Sequence, residues 1–349
     1  MDSNNIKTPN LPQRKLGNET VSALGFGLMG MNFNYAQTDD PEVAEKRNLE
    51  LLSQAADAGL TFWDTSDFYG PFTNEELVGK WFKQTGRRKE IFLATKFANF
   101  VDPQTGQHLI RGDKEYVRQA FEASLKRLQT DYVDLYYQHR VDKNIRIEET
   151  VEAMAELVKE GRVKHLGLSE CSARTLRRAH KVHPIAACQL EYSIFSLDIE
   201  REEIGLKEAC DELGVAIVAF GALGRGMFTG EIKSRSDIPQ GDFRLILPRF
   251  SEENFGKNLE VVDLIAKIAE KKGFTSGQLA LAWLLHQGEN VIPLFGSRQF
   301  KHVEHNLKAL DVTLSDEETR EIREVIVNAD VRGERYPPQF LVHSYLDTI

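Results

Sequence analysis

Tyr132-Val-Asp-Leu-Tyr-Tyr-Gln138 and Val163-Lys-His-Leu-Gly-Leu168 are two short runs of β-branched, aliphatic and aromatic residues, separated by the amphipathic segment 147–159. A second amphipathic segment, 172–181, follows the second run, so the stretch reads as two consecutive strand–helix units at close spacing. The same unit recurs toward the amino terminus, with strands expected at 21–27, 60–64 and 91–96. Helices follow them near 43–58, 74–83 and 113–128, the last with Val117, Phe121, Leu125 and Leu128 on one face. Toward the carboxyl terminus a strand at 185–190 precedes a helix at 199–212. A strand at 215–220 then leads through a long loop, to about residue 254, into a helix near 256–271. A further helix, opened by Thr275 or Ser276 as N-cap, leads to a strand at 291–294 and a helix near 299–308. Apart from a hairpin at 14–21, no two strands follow each other directly. Strict alternation implies parallel strands, and eight such units close into a single-domain α/β fold, the (β/α)₈ TIM barrel, whereas doubly wound sheets usually stop earlier.

The expected division is a flexible amino terminus at 1–13, the barrel at 14–327 and a carboxyl-terminal tail at 328–349 near the substrate pocket. Extra material lies after strand 3 (97–112), after strand 7 and in the tail, where Pro337 and Pro338 oppose a continuing helix. Insertions of that length are more often functional lids than spacers.

The 349 residues are 41% hydrophobic and 28% charged, proportions of an ordinary folded chain and not of a disordered or collagen-like one. A net charge of −9 provides no overall positive field for nucleic acid or an anionic membrane, so any anionic ligand needs a local site. Three cysteines, Cys171, Cys188 and Cys210, form no disulfide framework and suit a reducing compartment. Residues 1–13 hold no apolar signal segment, and the most apolar stretch, 214–223, is about half of what a membrane helix requires. A cytoplasmic monomer without nucleic-acid or membrane partners is expected.

In a barrel the chemistry gathers at the carboxyl ends of the strands. Asp64 closes strand 2, Tyr69 lies in the loop just after it, Lys96 ends strand 3 and His139 ends strand 4. Singly these read as a turn cap, a loop residue, a solvated strand end and a core histidine. Jointly they place a carboxylate, a phenol, an ammonium and an imidazole at one region. The lysine and the acid would pair, and the cation would lower the tyrosine pKa from its ordinary value near 10. Such a phenol can give a proton to an oxygen becoming an alkoxide, and a neutral histidine can hydrogen-bond the same oxygen. That is equipment for carbonyl reduction.

At these residues the sequence resembles the aldo-keto reductase family, over about 14–310, in a branch containing pyridoxal reductases and potassium-channel β-subunits. The resemblance is carried by Asp64-Thr-Ser-Asp-Phe-Tyr69, Thr95-Lys96, Gln138-His139-Arg140, Gly167-Leu-Ser169, Gln189-Leu-Glu191-Tyr192-Ser193, Leu223-Gly224-Arg225-Gly226 and Gly296-Ser297-Arg298 with Asn306. It implies that Asp64, Tyr69, Lys96 and His139 are the catalytic tetrad, with Tyr69 as general acid, and that NADPH supplies a hydride to an aldehyde or ketone. It also places the nicotinamide carboxamide against Ser169 and Gln189 and the ring on Phe220, where relatives usually carry tyrosine. Glu170 stands where relatives often have asparagine, and Gly221-Ala222 replaces the usual Ser-Pro before Leu223. A regulatory subunit that binds NADPH as a redox sensor, with little turnover, is the alternative from a different functional class.

The phosphate end has its own argument. Barrels commonly bind phosphate with the loops after strands 7 and 8, and Gly224-Arg225-Gly226 and Gly296-Ser297-Arg298 occupy those loops. Arg298 is suited to a 2′-phosphate, favouring NADPH over NADH. Gln299 and His302 stand where the family often supplies another arginine.

Other motifs mislead. Gly25-Phe-Gly27-Leu-Met-Gly30 matches the dinucleotide fingerprint but opens no helix, because residues 31–40 are polar and turn-like. Gly167-Leu-Ser169-Glu-Cys171 lacks the final glycine of a hydrolase elbow. The pairs His180/His183 and His302/His305 lack any supporting metal motif, and no metal is expected. Phe33, Tyr35, Phe68, Phe97 and Phe100 are expected to wall the pocket, suiting an apolar or aromatic carbonyl compound, pyridoxal-like aldehydes among them by resemblance. Arg140 and Arg111 are candidates to meet an acidic group.

Overall fold

The computed structural model describes residues 11–36 and 39–349. The expectation for the amino terminus therefore lies, up to residue 10, outside the described residues, as do positions 37 and 38 of the loop after the first barrel strand. Eight strands form the barrel: β1 (Gly25–Gly27), β2 (Phe62–Asp64), β3 (Phe92–Phe97), β4 (Val133–Gln138), β5 (Val163–Ser169), β6 (Ile185–Glu191), β7 (Ala216–Phe220) and β8 (Val291–Phe295). Each pairs in parallel with its sequence neighbours, and β8 pairs with β1 to close the sheet. The alternation of strands and helices thus produces the (β/α)₈ barrel it implies, without a sheet edge.

Helices α1 (Pro41–Asp57), α2 (Thr73–Thr85), α3 (Lys114–Leu128), α4 (Ile147–Lys159), α5 (Ala173–Val182) and α6 (Leu206–Leu213) follow the first six strands in turn. Two helices, α7 (Glu252–Lys271) and α8 (Ser276–Leu285), separate β7 from β8, and α9 (Phe300–Leu307) and α10 (Asp316–Asn328) complete the outer layer. Their starts carry the expected chemistry. The Asp113 carboxylate accepts from Tyr116 N at 3.0 Å, and Thr275 forms a capping box with Gln278, which settles the N-cap of α8.

Some features differ from expectation. The strand expected at 21–27 is split, because Glu19–Ser22 pairs antiparallel with Gln13–Leu16 and leaves only Gly25–Gly27 to the barrel. Leu16 and Val21 of that hairpin pack with Phe62, Phe92 and Ala186, residues at the amino-terminal ends of their strands, so the hairpin plugs the bottom of the barrel. The helix expected at 199–212 is likewise broken: a 3₁₀ turn at Asp198–Glu200 precedes α6, and Gly205 between them takes a left-handed φ of 56°. The extra material after β3 is a second hairpin, Asn99–Val101 with His108–Ile110.

The tail turns back over the carboxyl end of the barrel. After α10 a short helix, α11 (Pro338–Leu341), begins with proline at its first position, where a missing N–H costs nothing. Tyr345 N then donates to Glu170 O at 2.7 Å and Ser172 N to Leu346 O at 3.0 Å, joining the last residues to the end of β5. Arg178 on α5 donates to the carbonyls of Thr348 and Ile349 at 2.9 and 2.7 Å. Among the described residues, no helix is long and apolar enough to cross a membrane.

Candidate active site

Asp64, Tyr69, Lys96 and His139 meet at the carboxyl mouth of the barrel. Lys96 is fully buried, and its ammonium makes three contacts: Asp64 Oδ1 at 2.5 Å, Thr65 O at 2.8 Å and Tyr69 Oη at 3.2 Å. The second oxygen of Asp64 accepts from Gln189 Nε2 at 2.8 Å, so the carboxylate is held from both sides. The His139 ring lies edge-on to the Tyr69 ring with centroids 5.8 Å apart, and its Nδ1 is 3.1 Å from Ser66 Oγ. That contact fixes the ring and leaves its other nitrogen for a ligand.

The loop that delivers Tyr69 is pinned at several points. Asp67 N donates to Lys96 O at 3.2 Å and Tyr69 N to Ser66 O at 3.2 Å. Thr65 Oγ1 donates to Asn74 Oδ1 at 2.6 Å, and Asn74 Nδ2 reaches Leu28 O at 2.9 Å and Asn32 Oδ1 at 2.8 Å. A buried polar chain thus ties the loops after β1 and β2 together and preorganises the phenol.

Burial changes the electrostatics from the expectation. The Tyr69 phenol is buried, and its desolvation outweighs the Lys96 charge, so its pKa is raised above the ordinary value instead of lowered. Burial alone would push Lys96 down, but Asp64 and the Tyr69 oxygen more than compensate and hold it up as an ammonium. Burial, with Lys96 and Arg140 nearby, pushes His139 well below its usual range, making it a neutral imidazole. The site therefore presents a protonated phenol, a neutral ring and a fixed cation. This set can hydrogen-bond a carbonyl oxygen and give it a proton as charge develops.

Residues expected at the cofactor lie along the adjoining mouth. Ser169 and Gln189 are register partners on β5 and β6, and Glu191 and Phe220 are partners on β6 and β7. Two neighbouring hydrogen-bonding side chains thus stand beside a half-buried flat ring, a donor set that fits an aromatic ring bearing an amide. Gly226 adopts a φ of 97° in the loop Leu223-Gly224-Arg225-Gly226, a backbone conformation that residues with a Cβ rarely adopt. Arg225 itself turns inward, donating to Tyr336 Oη at 2.8 Å and to Glu191 Oε2 at 3.3 Å. Its guanidinium is thereby engaged within the protein and is not a solvated loop charge. Arg298, after Gly296 and Ser297, donates to Ala36 O at 2.9 Å. His302 on α9 pairs with Glu231 at 3.1 Å, and Asn306 is buried on the same helix.

Of the expected pocket aromatics, Phe33 and Phe68 stand beside Tyr69, with Phe33 centroids 5.5 Å from Phe68 and 6.3 Å from Tyr69. Phe97 is fully buried and stacks on Tyr136 at 5.0 Å, so it belongs to the core and not to the opening. Phe100 sits on the hairpin after β3, against Tyr116. Arg111 is taken by Asp113 through two 2.9 Å hydrogen bonds, whereas Arg140 remains at the mouth.

The residue absent from the sequence reading is Arg335. It is almost fully buried and pairs with Glu170 at 2.8 Å, with Glu191 at 3.6 Å. Glu170 holds a left-handed φ of 51°, a conformation that asparagine tolerates better than glutamate. The only signal was that glutamate, a carboxylate at a buried strand end that requires a buried cation.

Among the described residues no group of three or more histidine, cysteine or acidic side chains is arranged to hold a metal. The three cysteines are free and buried, with the Cys171 and Cys188 sulfurs 3.9 Å apart.

A family model described as the aldo/keto reductase family matches residues 23–327. The chain is 50% identical over 338 residues to an aldo-keto reductase of Schizosaccharomyces pombe, yakc, whose name carries NADP(+), covering 97% of this chain and 98% of the relative. It is 48% identical over 332 residues to the aldo-keto reductase str7 of Strobilurus tenacellus, covering 93% and 95%. A glycerol dehydrogenase structure from Gluconobacter oxydans superposes with a TM-score of 0.80 at 25% identity, covering 93% of this chain and 98% of that one. A Klebsiella pneumoniae aldo/keto reductase in complex with NADP and acetate gives 0.68 at 25% identity, covering 97% and 100%.

Proposed function

The chain belongs to the aldo/keto reductase family, and on that premise we propose that it reduces an aldehyde or ketone to an alcohol with NADPH. The observation that carries this reading is the buried contact between the Lys96 ammonium, Asp64 and the Tyr69 phenol oxygen. When bound, NADPH supplies the hydride. Tyr69 Oη gives its proton to the carbonyl oxygen, and Lys96, 3.2 Å away, steadies the oxygen left behind. Neutral His139 orients that carbonyl by a hydrogen bond, and Asp64 keeps Lys96 in place. Ser169 and Gln189 would hold the carboxamide and Phe220 the ring. The backbone of 224–226 and Arg298 would face the phosphates.

Steady-state NADPH oxidation over a panel of aromatic and aliphatic aldehydes and ketones tests the proposal. Turnover with carbonyl substrates is expected. Tight NADPH binding with negligible turnover across the panel would point to a regulatory subunit instead.

The Arg298 assignment has a separate check. Arg298→Ala is expected to weaken NADPH by about 10–100-fold, the size of a charge-assisted hydrogen bond, and NADH by much less. Equal losses in titrations with the two cofactors would remove Arg298 from the 2′-phosphate.

A further inference from the structure

Most cations around the mouth are paired with a carboxylate, although Arg298, among the described residues, donates only to Ala36 O. Lys96 has Asp64, Arg111 has Asp113 and Arg335 has Glu170. Arg225 and Arg249 share Glu191, and Arg244 has Asp242. Arg140 differs: among the described residues, no carboxylate lies within ion-pair distance of its guanidinium. The side chain folds back over the end of β4, with Nη1 donating to His139 O at 2.8 Å and lying 3.4 Å from Ser169 Oγ. It thereby lies between the ring that touches Tyr69 and the strand end expected to meet the nicotinamide.

The groups around it supply no counter-charge. His108, on the hairpin after β3, lies with its ring centroid 5.4 Å from Phe68, and His343 comes from the tail after α11. Burial and then Arg140 push His108 below its usual range, and burial, followed by His108, Arg140 and Lys143, does the same to His343. The imidazoles are therefore neutral hydrogen-bonding groups around one guanidinium. Glu170, the carboxylate within reach of its field, is turned away onto Arg335 at 2.8 Å. A half-buried guanidinium without a counter-charge costs desolvation energy, and a ligand can supply the missing anion. The chain's net charge of −9 makes the local reversal of sign the more specific.

Building on the reductase reading above, we propose that Arg140 is an anion subsite beside Tyr69 and that the preferred substrates are aldehydes or ketones that also carry a carboxylate. The guanidinium fork matches a carboxylate with two parallel hydrogen bonds, and Phe33 and Phe68 cover the spacer between carboxylate and carbonyl.

The experiment compares kcat/KM for para-carboxybenzaldehyde and for methyl para-formylbenzoate, which has the same ring without the charge. It uses the wild type, Arg140→Gln and Arg140→Lys, with NADPH affinity followed by quenching of protein fluorescence. The wild type is expected to favour the carboxylate by about tenfold or more, a preference that Arg140→Gln abolishes and Arg140→Lys partly restores. Absence of a preference in the wild type would overturn the proposal. Equal loss on both aldehydes in Arg140→Gln, or loss carried by NADPH affinity alone, would overturn it too and make Arg140 a residue of the cofactor site. If the ester is reduced without a carboxylate preference, only this inference fails; if neither aldehyde is reduced and the wider panel is also inert, the reductase reading fails first.

Discussion

Tyr69→Phe is expected to lower kcat for aldehyde reduction by about 10²–10⁴-fold, the usual contribution of a positioned general acid. The substitution removes one oxygen and little else. The phenyl ring keeps its contacts with Phe33 and His139, and Lys96 retains Asp64 and Thr65 O. Stability and NADPH binding should consequently stay close to those of the wild type. The direction of the Tyr69 pKa adds a pH signature. Because burial holds the phenol above its ordinary value of about 10, the donor is protonated throughout the neutral range, and loss of its proton limits reduction only in strong alkali. His139, pushed well below its usual range, contributes no loss on mild acidification. A steady-state profile for a neutral aldehyde is expected to be flat across neutral pH, and a fall centred below the ordinary phenol value would show that Lys96 outweighs burial.

The second large effect concerns the tail. Arg335→Met is expected to destabilise the fold by about 3–5 kcal/mol, because it strands the fully buried Glu170 carboxylate and removes one of the cations that Glu191 faces. Burial alone would raise the Glu170 pKa, but the Arg335 charge and its hydrogen bonds overcome this and hold it below the usual carboxylate range. A depressed folded-state pKa contributes stability above the unfolded-state pKa, and that stability is lost as pH falls through the folded value. The pair is thus intact at neutral pH and weakens only in acid. Urea unfolding of Arg335→Met alone and combined with Glu170→Gln provides the check. The double variant should recover much of the loss, because no unpaired carboxylate remains at 170. Equal stability of the single variant and the wild type would mean that the tail is not anchored through this pair.

The barrel is legible because period-two runs and amphipathic segments alternate along almost the whole chain, and parallel closure is the way to bury eight such strands. The failures are local. Residues 21 and 22 have strand chemistry but belong to the hairpin that plugs the barrel, and the pattern at 199–212 cannot show that Gly205 restarts the helix in a left-handed turn. The meeting of Asp64, Tyr69, Lys96 and His139 follows from strand-end positions once a barrel is assumed. The sign of the Tyr69 shift does not, because it depends on how completely the phenol is desolvated. Phe97 illustrates the same limit: an aromatic at a strand end can face the core or the mouth, and here it lies on Tyr136. Arg335 was invisible because its partner is 165 positions away, and nothing local marks it as other than a tail charge.

The most direct test of the account is a single-turnover measurement. NADPH is bound to saturation, an aldehyde is mixed in, and nicotinamide absorbance is followed for the wild type and Tyr69→Phe, with NADPH affinity measured on the same samples. The account predicts equal cofactor affinity and a chemical step slowed by about 10²–10⁴-fold in the variant. An unchanged single-turnover rate would contradict it, because the proton would then be coming from somewhere other than the phenol at 69.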